Sequence, residues 1–107
     1  MNNEKLNTAL YQTMEREQDK YRKWLVQCPP EEILSHAYEY AVCEDILMAM
    51  EELNLPDDQA MALLKQRGPL DDVFKDFIKL ETDYMETVRG AIELCAERKR
   101  RRSRIGR

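Results

Sequence analysis

Two carboxylates fall where helical periodicity calls for apolar side chains. Glu17 lies between Leu10, Met14 and Tyr21, and Glu81 lies between Phe74, Phe77, Tyr84 and Val88. A pair of inward carboxylates with one histidine, His36, is the raw material for acid/base or metal chemistry. The di-iron pattern of helical bundles, however, needs a Glu from each of two helices and Glu-x-x-His from each of two more. Here His36 follows Glu32 by four, a helix-surface spacing, and it is the chain's one histidine. A lone histidine is not a metal site, and an unpaired buried carboxylate is too costly to keep ionised. The expected roles are therefore structural: Glu17 and Glu81 at the stripe edge or hydrogen-bonded to Tyr, His or Arg, and His36 partly buried and hydrogen-bonded to a neighbour. No Gly-rich phosphate loop, nucleophile elbow, HExxH or CxxC occurs among three glycines and three cysteines. The pattern points away from an enzyme, and no metal or cofactor is expected.

The charges point to partners instead. Residues 1–97 hold 10 Lys and Arg against all 21 Asp and Glu, a formal charge of −11, while the last ten residues carry seven cations. These are Arg98, Lys99, Arg100, Arg101, Arg102, Arg104 and Arg107. Segregated charge steers encounter with oppositely charged surfaces. The division predicts an acidic helical domain over 1–97 and a basic tail over 98–107. Within the acidic part, Glu44, Asp45, Met48, Glu51 and Glu52 share one helical arc, with Asp57 and Asp58 past the next turn. That arc sets a methionine among four carboxylates and fits a basic, nucleic-acid-handling protein; its alternative is a solvated acidic face. The tail, with no interleaved aromatic residue, suits phosphate backbones without base-specific readout. An acidic protein surface, or the chain's own acidic body, would serve it as well.

The elements that must position these residues follow from punctuation. Pro29-Pro30, the Asn54-Leu55-Pro56-Asp57 corner and Gly68-Pro69 cut the chain into four helical segments. The first runs from about residue 4 to 27, with Leu6, Leu10, Met14, Tyr21, Trp24 and Leu25 on one face. The second begins at Pro30 or Glu31, and its apolar face rotates: Ile33, Leu34, Ala37, Tyr38 and Ala41 oppose Ile46, Met50 and Leu53. It is therefore buried on different sides along its length or bends near Cys43, and either leaves homodimerisation open. A short third helix covers about 57–67. The fourth, about 70–98, carries Leu70, Val73, Phe74, Phe77, Leu80, Tyr84, Val88, Ala91, Ile92 and Cys95 in one stripe, ending in a frayed basic extension. The predicted fold is all-α: a compact four-helix arrangement, three long helices and one short, with helices 1 and 4 packed on helix 2.

Cys28, Cys43 and Cys95 are too few and too irregularly spaced for a disulfide framework. They read as apolar fillers of a cytoplasmic protein. No apolar run approaches the roughly 20 residues that span a bilayer, and no lipidation motif accompanies the basic cluster, so no membrane role is expected.

One local pattern is more specific. Pro30-Glu31-Glu32-Ile33-Leu34, His36-Ala37-Tyr38-Glu39-Tyr40, Glu44-Asp45-Ile46-Leu47-Met48 and Glu81-Thr82-Asp83-Tyr84-Met85 resemble a small uncharacterised bacterial domain family associated with mobile genetic elements. The resemblance covers roughly residues 8–95 and omits the tail. It implies a protein that handles, protects or regulates mobile DNA, and it brings no functional residues with it.

Overall fold

Proline and glycine set most of the helix boundaries. The structure is a computed structural model describing residues 3–81 and 83–105, the side chains of 104 and 105 excepted. It contains α1 (Asn3–Leu25), α2 (Pro30–Glu52), α3 (Asp57–Leu64), α4 (Pro69–Leu80) and α5 (Tyr84–Ile105). Among the described residues there is no strand. α1 tightens at its end, where Gln27 and Cys28 N–H donate to the carbonyls of Trp24 and Leu25, and Pro29 forbids further helix. The Pro29 and Pro56 carbonyls accept the first bonds of α2 and α3, each followed by two acids in the first turn, where the helix dipole favours anions.

The sequence predicts one helix over 70–98, and the structure has two. α4 stops at Leu80 and α5 starts at Tyr84, with the Thr87 N–H donating to the Asp83 carbonyl. Asp83 thus occupies an N-cap position, which aspartate favours, and Glu86 follows at capping-box spacing. Among the described residues the count is five helices, not four. The basic residues do not fray either: Arg98 to Arg102 belong to α5, which continues to Ile105.

The chain divides into two compact units, one through Asp76 and one from Phe77 onward. In the first, α1 is the hub, packing on both α2 and α3. Leu6, Leu10 and Met14 of α1 meet Cys43, Leu47 and Met50 of α2, Ala60 of α3 and Leu70 of α4. Helix 1 packs on helix 2 as expected, but the expectation for the fourth helix needs correcting: of its long apolar stripe, Leu70 is buried in the core, whereas Phe77, Leu80, Tyr84 and Ile92 are exposed. The rotating face of α2 resolves unevenly. Its second half buries Val42, Cys43, Leu47 and Met50, and its first half leaves Leu34 and Tyr38 in solvent.

Two polar clamps fix the first unit. Asn7 Nδ2 donates to the Leu55 carbonyl at 2.9 Å and the Leu55 N–H donates to Asn7 Oδ1 at 2.9 Å, so one amide satisfies both backbone groups of Leu55, in the Asn54–Pro56 corner. Asn3 Nδ2 adds a second donor to the same carbonyl, at 2.7 Å. Gln18, buried on α1, donates from Nε2 to the Tyr40 carbonyl and to Glu44 Oε1, both at 3.1 Å. These bonds hold α1 and α2 in register.

Candidate functional site

The register of α1 on α2 creates an open groove of about 250 Å³. From α2 it is lined by Tyr40, Glu44, Leu47, Met48 and Glu51, and from α1 by Tyr11, Glu15, Gln18, Asp19 and Arg22. A second groove, of about 380 Å³, adjoins it along the same seam, shares Tyr11 and Glu51, and adds Glu4 and Glu52. Four of the five residues in the predicted acidic arc thus face these grooves. Asp45 is exposed on the same helix but lines neither.

Sequence reasoning missed the contribution of α1. Glu15 and Asp19 bring two more carboxylates to the first groove, with Arg22 as the cation in its lining and Lys23 paired to Asp19 at 3.0 Å in an exposed i,i+4 contact. Tyr11, Glu15, Gln18 and Arg22 recur at helical spacing beside the buried stripe, so the face was readable. That it lies against the α2 arc becomes apparent only once the two helices are paired.

Hydrogen bonds order several of these groups. Glu44 accepts from Gln18, and Glu51 Oε1 accepts from the Tyr11 hydroxyl at 3.2 Å. Burial first, then the Glu51 carboxylate, pushes the Tyr11 phenol above its ordinary value. Burial and then Glu44 do the same for Tyr40, with Arg22 opposing. Both phenols remain neutral donors beside carboxylates. Met48, 63 % exposed, supplies a polarizable apolar contact at the rim. Four carboxylates around such a contact suit Lys or Arg side chains, whose stems pack while their charged heads pair.

The residues that suggested acid/base chemistry occupy separate environments. Glu17 Oε1 and Oε2 accept the Leu70 and Asp71 N–H groups, each at 2.9 Å. Its partner is thus the N-terminus of α4 and not the Tyr, His or Arg side chain expected. His36 packs edge-on to Tyr21 and Trp24, with ring centroids 6.2 and 5.4 Å away. The Tyr21 ring also stacks on Trp24 and Tyr40. Its hydroxyl is buried without a hydrogen-bond partner, and burial, reinforced by Glu39, pushes the phenol far up. Glu81 lies between α4 and α5, in the second unit. Among the described residues, no three His, Cys, Asp or Glu are grouped so as to hold a metal ion.

The cysteines are free thiols in three different settings: Cys43 buried, Cys28 half-buried and Cys95 exposed. Burial, then the Glu39 and Glu17 charges, pushes the Cys43 thiol up to about 12. Only the thiolate attacks alkylating agents, so at pH 8 Cys43 is expected to react with iodoacetamide only through opening of the first unit. Mass spectrometry should find its labelling rate rising with urea in step with unfolding; immediate labelling in buffer would contradict its burial. Because the folded form holds the proton more tightly, this thiol adds stability below the unfolded pKa and loses it progressively as the pH rises toward 12.

The basic residues Arg98, Lys99, Arg100, Arg101 and Arg102 are exposed along α5. Glu97 accepts from Arg100 and Arg101, and Arg100 foremost holds its carboxyl below the usual range. The Arg104 side chain and Arg107 lie outside the described residues.

A family model described as protein of unknown function (DUF3848) matches residues 6–99. The chain belongs to that family. The DUF3848 match takes in the whole core, Glu17 and its helix N-terminus, the first groove and all of the second but Glu4, and it includes Arg98 and Lys99 but not the cations beyond them. No curated protein and no solved structure matches the chain. No described helix is long and apolar enough to cross a membrane.

Proposed function

We propose that this DUF3848 domain is a non-enzymatic protein-interaction module of a mobile genetic element. Its acidic α1/α2 groove takes a basic segment of a nucleic-acid-handling protein, and blocking a host-defence nuclease, as anti-CRISPR proteins do, is one concrete form of that role. The observation supporting this reading is the convergence of Glu15, Asp19, Glu44 and Glu51 around exposed Met48. Carboxylates facing one another across a groove focus a field that draws cations. Reversing Glu44, Asp45, Glu51 and Glu52 to Lys is expected to weaken binding of a Lys/Arg-rich peptide at least tenfold in calorimetry at about 50 mM salt, with helicity unchanged. Equal affinity in the variant would remove the groove from consideration.

A second reading assigns nucleic-acid binding to Arg98–Arg102, favoured by their exposure on one continuous helix. In that case a chain ending at Glu97 loses duplex DNA binding, and the full chain's affinity falls steeply with salt, by a log–log slope of about −0.9 per phosphate contact. Salt-sensitive DNA binding that depends on these residues, together with no peptide binding, would put this reading first.

A further inference from the structure

α5 is a helix without cover. Met85, Val88, Ala91, Ile92 and Cys95 form one stripe along it, and all are exposed except Val88, which is half-buried; Ile92 is 62 % exposed. In water a helix owes most of its stability to packing of its apolar face. Gly90, at the middle of α5 with nothing within 4 Å of where its Cβ would stand, costs roughly a further 1 kcal/mol relative to alanine. Arg98, Lys99 and Arg102 continue the line of the stripe toward the C-terminus, and Glu86, Glu93 and Glu97 lie on the opposite face. A partner on the stripe therefore has to cover residues 85–95 while tolerating three cations at one end of them.

We propose that the partner is a second copy of this chain, its α5 laid antiparallel across the first about Gly90. Parallel pairing would stack Arg98, Lys99 and Arg102 of one copy on the same residues of the other, six like charges in one seam. Antiparallel pairing lays apolar residues 85–95 on their counterparts. It also carries each basic end to the other copy's acidic end, where Glu81 and Asp83 lie. Two 22-residue helices, each roughly 33 Å long, bury on the order of 1,000 Å² in total when paired, the low end for a specific contact, so association falls in the micromolar range. The dimer uses the second unit alone and stands or falls independently of the acidic groove.

Sedimentation of the full chain between about 2 and 200 µM brackets that range. The expected result is a shift from monomer to dimer with a parallel gain in helicity, weakened when salt is raised to about 1 M because attraction between unlike ends is screened. Ile92→Glu abolishes the shift and, lying outside the first unit, leaves its urea midpoint unchanged. A monomer throughout overturns the proposal, as does a stripe shielded within a monomer, seen as Cys95 that resists alkylation at 2 µM. Direction is read in a Cys28→Ser background under a glutathione redox buffer. About Gly90 the two Cys95 stand roughly 15 Å apart along the axis, beyond the roughly 7 Å that a disulfide allows. Adding Met85→Cys, which sets position 85 opposite Cys95, is expected to give crosslinked dimer that the background lacks. Crosslinking through Cys95 alone would show the parallel arrangement and overturn the antiparallel one.

Discussion

Leu10→Ala is expected to destabilise the first unit by about 3 kcal/mol, whereas Leu34→Ala, the same deletion of three carbons, should cost no more than about 0.5 kcal/mol. Leu10 is fully buried at the hub helix, among side chains from α2, α3 and α4. Its loss leaves a cavity that three helices on fixed clamps cannot close. Leu34 is 76 % exposed, so its truncation removes little that was out of water. Small domains are stable by about 5–15 kcal/mol, which makes the first change a large fraction of the total. Urea melts followed by circular dichroism check both: the Leu10→Ala midpoint falls at constant m-value, and the Leu34→Ala midpoint stays within error of the parent. Equal shifts would mean that the first half of α2 is covered after all.

That contrast marks what the sequence made legible. Periodicity identified Leu10 and Leu34 alike as members of apolar faces, because it reports which side chains share a side. It does not report what covers that side. Helix boundaries at Pro29-Pro30, Pro56 and Gly68-Pro69 were readable within a few residues, since proline excludes helical backbone from the residue before it. The division into α4 and α5 escaped because Phe77, Leu80, Tyr84 and Val88 keep helical phase across it. The signal that could have found it was Asp83 with Glu86 three residues on, a start signature inside an uninterrupted stripe. For the candidate site, one wall of the groove could be read from α2 alone. The other wall, Glu15 and Asp19, depended on a pairing of helices set by Gln18, a polar residue that helical periodicity does not single out.

Glu17 is the instructive case, since its misplacement in an apolar stripe was visible while its partner was not. The Gly68 carbonyl accepts the first helical bond of α4, from the Asp72 N–H, so Gly68 holds the N-cap position and Pro69, Leu70 and Asp71 follow as the first three helical residues. An N-cap Ser, Thr, Asp or Asn would supply an oxygen to the second or third N–H. Glycine has none to offer, and the Glu17 carboxylate, reaching across from α1, takes the Leu70 and Asp71 N–H groups instead. Glu17→Ala leaves both donors unmet beside a helix dipole that favours an anion, at an expected cost of about 2 kcal/mol. Glu17→Gln, which keeps one acceptor, should cost about half as much. A methyl group at Gly68 would stand 3.0 Å from Glu17 Oε2, and two 2.9 Å bonds, one to each oxygen, hold that carboxylate in place. Gly68→Ala is therefore expected to destabilise the parent by about 1.5 kcal/mol and, with Glu17→Ala already present and the close approach gone, by only about 0.5 kcal/mol, the residual disfavour of alanine at an N-cap. Gly68→Ser in that background restores a local cap and should recover about 1 kcal/mol. The difference in the Gly68→Ala cost between backgrounds, read from urea midpoints in a double-mutant cycle, is the deciding quantity. Additive effects would mean that the carboxylate and the helix start are not coupled.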